Sequence, residues 1–102
     1  MSIEMRYMFR PRPGTSLEEV MEISKMGADM WRKHRGEVSL WTVSAGEMGN
    51  WLFVIKFADY EAYGACVNEL TQDTDFLAFQ NKFMTSGKAD WVRSTLVRQI
   101  PI

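Results

Sequence analysis

The chain has 102 residues, enough for one domain with one core, so a single domain is expected over residues 1–102. Hydrophobic residues make up 46% and charged residues 25%, a globular balance that argues against disorder. A net charge of −1 gives no electrostatic reason for a nucleic-acid or anionic-membrane partner.

From Ser2 to Arg10 the sequence alternates. Ile3, Met5, Tyr7 and Phe9 fall on one face, and Glu4, Arg6, Met8 and Arg10 on the other. That is the period of a strand, and Pro11, Arg12, Pro13 and Gly14 end it. Thr15 with Glu18, and Ser16 with Glu19, have capping-box spacing and open a helix. Its stripe carries Leu17, Val20, Met21, Ala28 and Trp31, with Ser24 and Gly27 for close approach to a sheet. Ile23, Met26 and Met30 form an apolar shoulder that widens the core or meets another subunit. Basic residues crowd the last turn, and Gly36 is placed to terminate it at C′.

Glu37 to Ala45 reads as the second strand, and the turn Gly46–Gly49 joins it to the third as a hairpin. The third strand, Trp51 to Phe57, is apolar on both faces, so both are expected to be covered. Asp59 then caps a second helix with Tyr63, Val67 and Leu70 on its face and Cys66 at its edge. The polar stretch Thr71–Thr74 breaks it, and a short helix follows with Phe76, Phe79, Gln80 and Phe83 on one face. After a loop at Ser86–Lys88, Asp90 to Ile100 is the last strand.

This order predicts an α+β chain with the ferredoxin-like βαββαβ arrangement around a four-stranded antiparallel sheet. Right-handed crossovers place both helical connections on one sheet face. The other face has no segment left to cover it, although the third strand is apolar there as well. A second copy related by two-fold symmetry would cover it, which makes a dimeric α/β barrel the expected assembly.

The full-length pattern resembles the dimeric α/β-barrel superfamily, and within it the NIPSNAP-type domains. The resemblance rests on FRPRPG after the first strand, a helix ending WRKHRG, and LWT. A later glycine leads to GNW at the third strand, and an aspartate-rich turn precedes FLAFQNKF. It implies ligand pockets between sheet and helices, and the wider superfamily includes antibiotic-biosynthesis monooxygenases, muconolactone isomerases and polyketide cyclases. Its haem-degrading members rely on an asparagine in strand one and on a tryptophan and a histidine in the second helical region. The present chain has no asparagine in strand one, with Cys66 and Gln80 near the other two positions, which speaks against haem oxidation.

Each candidate side chain has a plain alternative. His34, the lone histidine, sits among cations where a solvated helix end is expected, and no metal-ligand spacing surrounds it. Cys66 lacks a base nearby in sequence and excludes an intramolecular disulfide. Gln80 is polar on a phenylalanine stripe and is placed to orient a ligand or to reach the surface. Arg6 and Arg98 would converge on a carboxylate, or lie at a barrel rim, if strands one and four pair; Arg6 would otherwise pair with Glu4 across the sheet. Aromatic residues on the sheet invite an RNA-binding reading, but WLFVIKF lacks the glycines and basic residues of RNP1.

The expected ligand site is therefore Tyr7, Phe57, Tyr63, Cys66, Gln80 and Phe83, taking a small apolar or aromatic molecule without a cofactor or metal. Cofactor-independent oxygenation or isomerisation is the chemistry that fold analogy suggests; a non-catalytic interaction or assembly domain is the alternative. No stretch approaches ~20 apolar residues, so no membrane span is expected. The sequence also opens without a signal-peptide-like apolar run, so the cytoplasm is the expected compartment.

Overall fold

The computed structural model describes residues 2–102. Elements follow as β1 (Ile3–Pro11), α1 (Leu17–Lys33), β2 (Glu37–Thr42), β3 (Trp51–Phe57), α2 (Tyr60–Gln72), α3 (Thr74–Thr85) and β4 (Ala89–Arg98). The four strands form one antiparallel sheet in the order β2-β3-β1-β4, the ferredoxin-like arrangement. All three helices contribute to one layer, packed on the sheet face of Ile3, Met5, Tyr7, Phe53, Ile55 and Phe57.

Local chemistry sets the boundaries. α1 uses the second of its two capping boxes: the Glu19 N–H donates to Ser16 Oγ at 3.1 Å, and the Ser16 N–H donates back to the Glu19 carboxylate at 3.4 Å. At its other end the left-handed residue is Arg35, φ 74°, rather than Gly36. The Arg35 N–H donates to the Arg32 carbonyl at 3.1 Å and the Gly36 N–H to that of Trp31 at 2.8 Å, a Schellman closure with Arg35 at C′. Gly36 serves close packing instead, since a Cβ there would sit 3.0 Å from both Ile55 and the Trp31 carbonyl. Asp73 ends α2 and caps α3 through the Asp75 N–H at 3.0 Å, so one residue makes the break expected at Thr71–Thr74.

Several expectations shift. β2 stops at Thr42 and β4 at Arg98, short of Ala45 and Ile100, because the hairpin loop begins earlier and the tail leaves the ladder. Leu17 and Met21 lie exposed in the first turns of α1, while Val20, Gly27, Ala28 and Trp31 face the sheet. On α2 the buried line runs Tyr63–Cys66–Leu70, which places Cys66 at its centre and Val67 at its edge.

The open sheet face is less apolar than β3 alone suggests. Leu52, Val54 and Trp41 point there, but β1 adds Glu4, Arg6 and Arg10, β2 adds Glu37 and Ser39, and β4 adds Arg93. Arg6 donates to Glu4 on its own strand at 3.0 Å rather than across the sheet. Arg98 lies opposite Ile3 and Arg6 opposite Thr95, so the two arginines take opposite faces and do not converge.

The β1–β4 register carries one irregularity, beyond these two arginines. Met8 pairs with Arg93 but Phe9 pairs with Trp91, which leaves Val92 as the extra residue of a β-bulge. The bulge reverses side-chain parity along β4. It brings Trp91 beside Phe9 on the helix-facing side, where an unbroken ladder would have turned it away.

Candidate functional site

Between α1, α3 and the sheet lies a cavity of about 390 Å³. It falls within the roughly 300–1,000 Å³ typical of small-molecule sites. The sheet supplies Tyr7, Phe9, Phe53 and Trp91, α1 supplies Trp31, and α3 supplies Phe76, Phe79 and Phe83. Small residues let the rings come close to α1. Gly27 and Ser24 line the α1 wall, and a Cβ on Gly27 would lie 3.2 Å from the Phe79 ring and 3.7 Å from Phe53. No residue of α3 is fully buried, so this helix roofs a space rather than sealing a core.

The rings touch one another in sequence through the layer. Tyr7 lies 6.1 Å from Trp31 and 5.0 Å from Trp91 between ring centroids, and Phe83 meets Trp91 edge-on at 6.1 Å. Phe79 and Phe83, four residues apart on α3, stack at 6.4 Å. Tilted and edge contacts of this kind are arrangements that aromatic pairs prefer.

Polar groups are few. Ser24, Gln80 and Lys88 line the cavity with the Tyr7 phenol. Burial pushes the Tyr7 pKa up to about 12, with smaller contributions from Tyr63 and Cys66, so at neutral pH it is a proton donor and not a base. The Lys88 ammonium lies 3.2 Å from the Glu19 carboxylate and bridges α1 to the loop entering β4.

Of the six residues expected from sequence, Tyr7, Gln80 and Phe83 line this cavity. Phe57, Tyr63 and Cys66 do not. They pack in the adjoining core, where Tyr63 meets Phe57 edge-on at 5.4 Å and the Cys66 side chain is enclosed. Burial raises the Cys66 thiol pKa and Glu69 adds to it, the reverse of nucleophile activation. Trp31, Phe76 and Phe79 enter the site from helix faces that read equally well as core. Trp91 depends on the bulge at Val92, for which the sequence gives no signal.

His34 departs from the solvated helix end expected of it. Its Nδ1 lies 3.2 Å from Glu69 and its Nε2 2.7 Å from Asp73, so the ring clamps α1 to α2. Hydrogen bonds from His34 and then Lys33 hold the Asp73 carboxyl far below the usual carboxylate range. The clamp lies outside the cavity lining.

Among the described residues no helix is long and apolar enough to cross a membrane, and no three His, Cys, Asp or Glu side chains cluster to hold a metal ion.

No protein-family model matches the sequence, and no curated protein matches it. Solved structures do match in fold. A NIPSNAP family protein from Agrobacterium tumefaciens superposes with a TM-score of 0.74 at 14% identity, covering 100% of this chain and 94% of that one. A NIPSNAP domain protein from Burkholderia xenovorans gives 0.68 at 20% identity over 98% and 95% of the two chains. A variant of SnoaB, a cofactor-independent oxygenase from Streptomyces nogalater, gives 0.68 at 10% identity over 99% and 95%. The chain therefore shares the α/β fold of NIPSNAP-type domains and of this oxygenase; at these identities the likeness is one of fold.

Proposed function

We propose that the protein is a homodimer that binds a small, flat, apolar or aromatic molecule between its sheet and helices. The observation that carries this reading is the ring-lined cavity of about 390 Å³ beneath α3. A space of that size walled by aromatic side chains costs packing energy that a purely structural domain has no reason to forgo. If the bound molecule is turned over, the chemistry is cofactor-independent oxygenation or isomerisation of a substrate that carries its own reactivity. That step comes by analogy with the fold of SnoaB. The cavity would supply orientation and exclusion of water, with the neutral Tyr7 phenol, Ser24 and Gln80 as the groups within its walls.

The homodimer reading is supported by the open sheet face. Trp41 stays 58% exposed there, next to Leu52 and Val54. The same face carries both signs, Glu4 and Glu37 with Arg6 and Lys56, so it can be complementary to itself across a two-fold axis. The cytoplasm suits a chain whose one cysteine is a free, buried thiol. A non-catalytic assembly domain is the competing reading. It is favoured by the position of Cys66 and His34 outside the cavity lining.

Titration with N-phenyl-1-naphthylamine, a neutral aromatic dye, separates the two. The wild-type protein is expected to bind it saturably in the micromolar range. Ser24→Leu, which adds a larger side chain to the part-buried α1 wall, is expected to abolish binding, with a thermal melt as the folding control. Equal binding by both proteins would overturn the cavity reading. Light scattering at micromolar concentration tests the assembly: a dimer is expected, and a monomer overturns it.

A further inference from the structure

We infer that the cavity is polarised for an aromatic ligand bearing one anionic group, a carboxylate, sulfonate or enolate, received by Lys88 in place of Glu19. The inference rests on the cavity reading above and adds the charge and direction of its ligand.

Lys88 is the one ionised side chain among the residues that line the cavity. No carboxylate lines it, and its remaining polar groups, Ser24, Gln80 and the Tyr7 phenol, are neutral. The cation is firmly mounted. The Lys88 carbonyl accepts from the Arg12 N–H at 2.9 Å and from Thr15 Oγ at 2.9 Å, and its own N–H donates to Ser86 Oγ at 3.3 Å. The backbone is thus fixed from three sides while the side chain remains 40% exposed and able to turn.

Its present partner is replaceable. One Glu19 oxygen lies 3.2 Å from the ammonium, and the other accepts from the Ser16 N–H in the capping box of α1. Released from Lys88, Glu19 keeps that backbone donor and solvent access, so an incoming anion leaves no charge stranded. An ion pair exposed by about two fifths on each side is worth little in itself, which makes exchange for a ligand anion inexpensive. The rings of Phe83 and Trp91 then hold the aromatic body beneath α3.

A matched pair of dyes isolates the charge. 1-Anilinonaphthalene-8-sulfonate is the sulfonated counterpart of N-phenyl-1-naphthylamine. Both are titrated against wild type, Glu19→Gln, Lys88→Met and Lys88→Arg, with thermal melts as the folding control. Glutamine also serves at the third position of a capping box, so Glu19→Gln keeps α1 intact. Glu19→Gln is expected to tighten the sulfonate about three- to fivefold and Lys88→Met to weaken it by a similar factor, the range for a part-exposed ion pair. Lys88→Arg should restore binding, and the neutral dye should move less than about twofold throughout. Parallel shifts of both dyes, or a sulfonate affinity unmoved by Glu19→Gln and Lys88→Met, would overturn the inference. Failure of both dyes to bind wild type would overturn the cavity reading first and this inference with it.

Discussion

Beneath α2, Ile3, Ile55 and Leu70 are closed off from solvent, and Trp31, Phe57 and Cys66 complete a continuous core. Beneath α3, Phe76, Phe79 and Phe83 all remain partly exposed around an open cavity. One sheet and one long helix serve both ends. Trp31 of α1 belongs to both, closing the core on one side and walling the cavity on the other, while Gly27 and Ser24 line the open end alone. At the open end Gly27 lets the Phe79 ring approach α1 closely, and the rings of α3 stay partly exposed around the space that is left. Apolar surface is removed from water at one end and left partly exposed at the other.

The contrast is sharpest in stability. Leu70→Ala removes an enclosed side chain and is expected to cost about 2–5 kcal/mol in urea unfolding, with the m-value unchanged. Phe79→Ala removes a larger side chain but from the wall of a space that already exists, and should cost less than half as much. It should also change dye binding, which Leu70→Ala should leave alone. Equal destabilisation by the two would mean that the ends are equally packed and would break the comparison.

Much of the sealed end is legible in the sequence. The apolar run of β3 and the Asp59 cap are local signals, and the structure keeps both. The open end is not legible in the same way. Phe76, Phe79 and Phe83 have the spacing of a core stripe, and nothing in that spacing says that the space opposite is unfilled. Trp91 joins the site because Val92 bulges, whereas Arg98 is kept from Arg6 by the regular register, opposite Ile3. A one-residue irregularity reverses every later side chain of a strand, and no period-two reading can register it. The His34 clamp escaped because its two carboxylates come from α2 and from the cap between α2 and α3, 35 and 39 residues away in the chain.

The joint between the two ends is Asp73, and its behaviour in acid tests whether they come apart there. Its carboxyl is held below its ordinary 3.8 by His34 first and Lys33 second. A carboxyl lowered in the folded state contributes stability that is fully present above its unfolded value and is lost as pH falls towards the folded one. Urea midpoints are therefore expected to fall below about pH 4 for wild type. Asp73→Asn keeps a capping side chain for α3 but loses the ionic contacts. It should be less stable at pH 7 and show a flatter decline in acid. An unchanged slope would mean that the joint does not depend on this charge.

The smallest effects compare how each end turns its backbone. At the sealed end the left-handed residue after α1 is Arg35, and at the open end the one after α3 is Gly87, φ 71°. A side chain in that conformation costs on the order of 1–2 kcal/mol. Gly87→Ala would impose the cost where it is now absent. Its Cβ would meet only Arg12 at 3.6 Å, an ordinary contact, so the expected loss of about 1 kcal/mol is conformational. Arg35→Gly would relieve the same cost, but it gives up the ion pair with Glu69 and adds freedom to the unfolded chain. Its net gain should be only a few tenths of a kcal/mol, near 1–2 °C in a thermal melt. Opposite signs, with the glycine loss larger, identify strain as the common term. A destabilising Arg35→Gly would show instead that the Arg35–Glu69 contact fastens α1 to α2 more strongly than its exposed geometry implies, and would place part of the sealed end's stability on its surface.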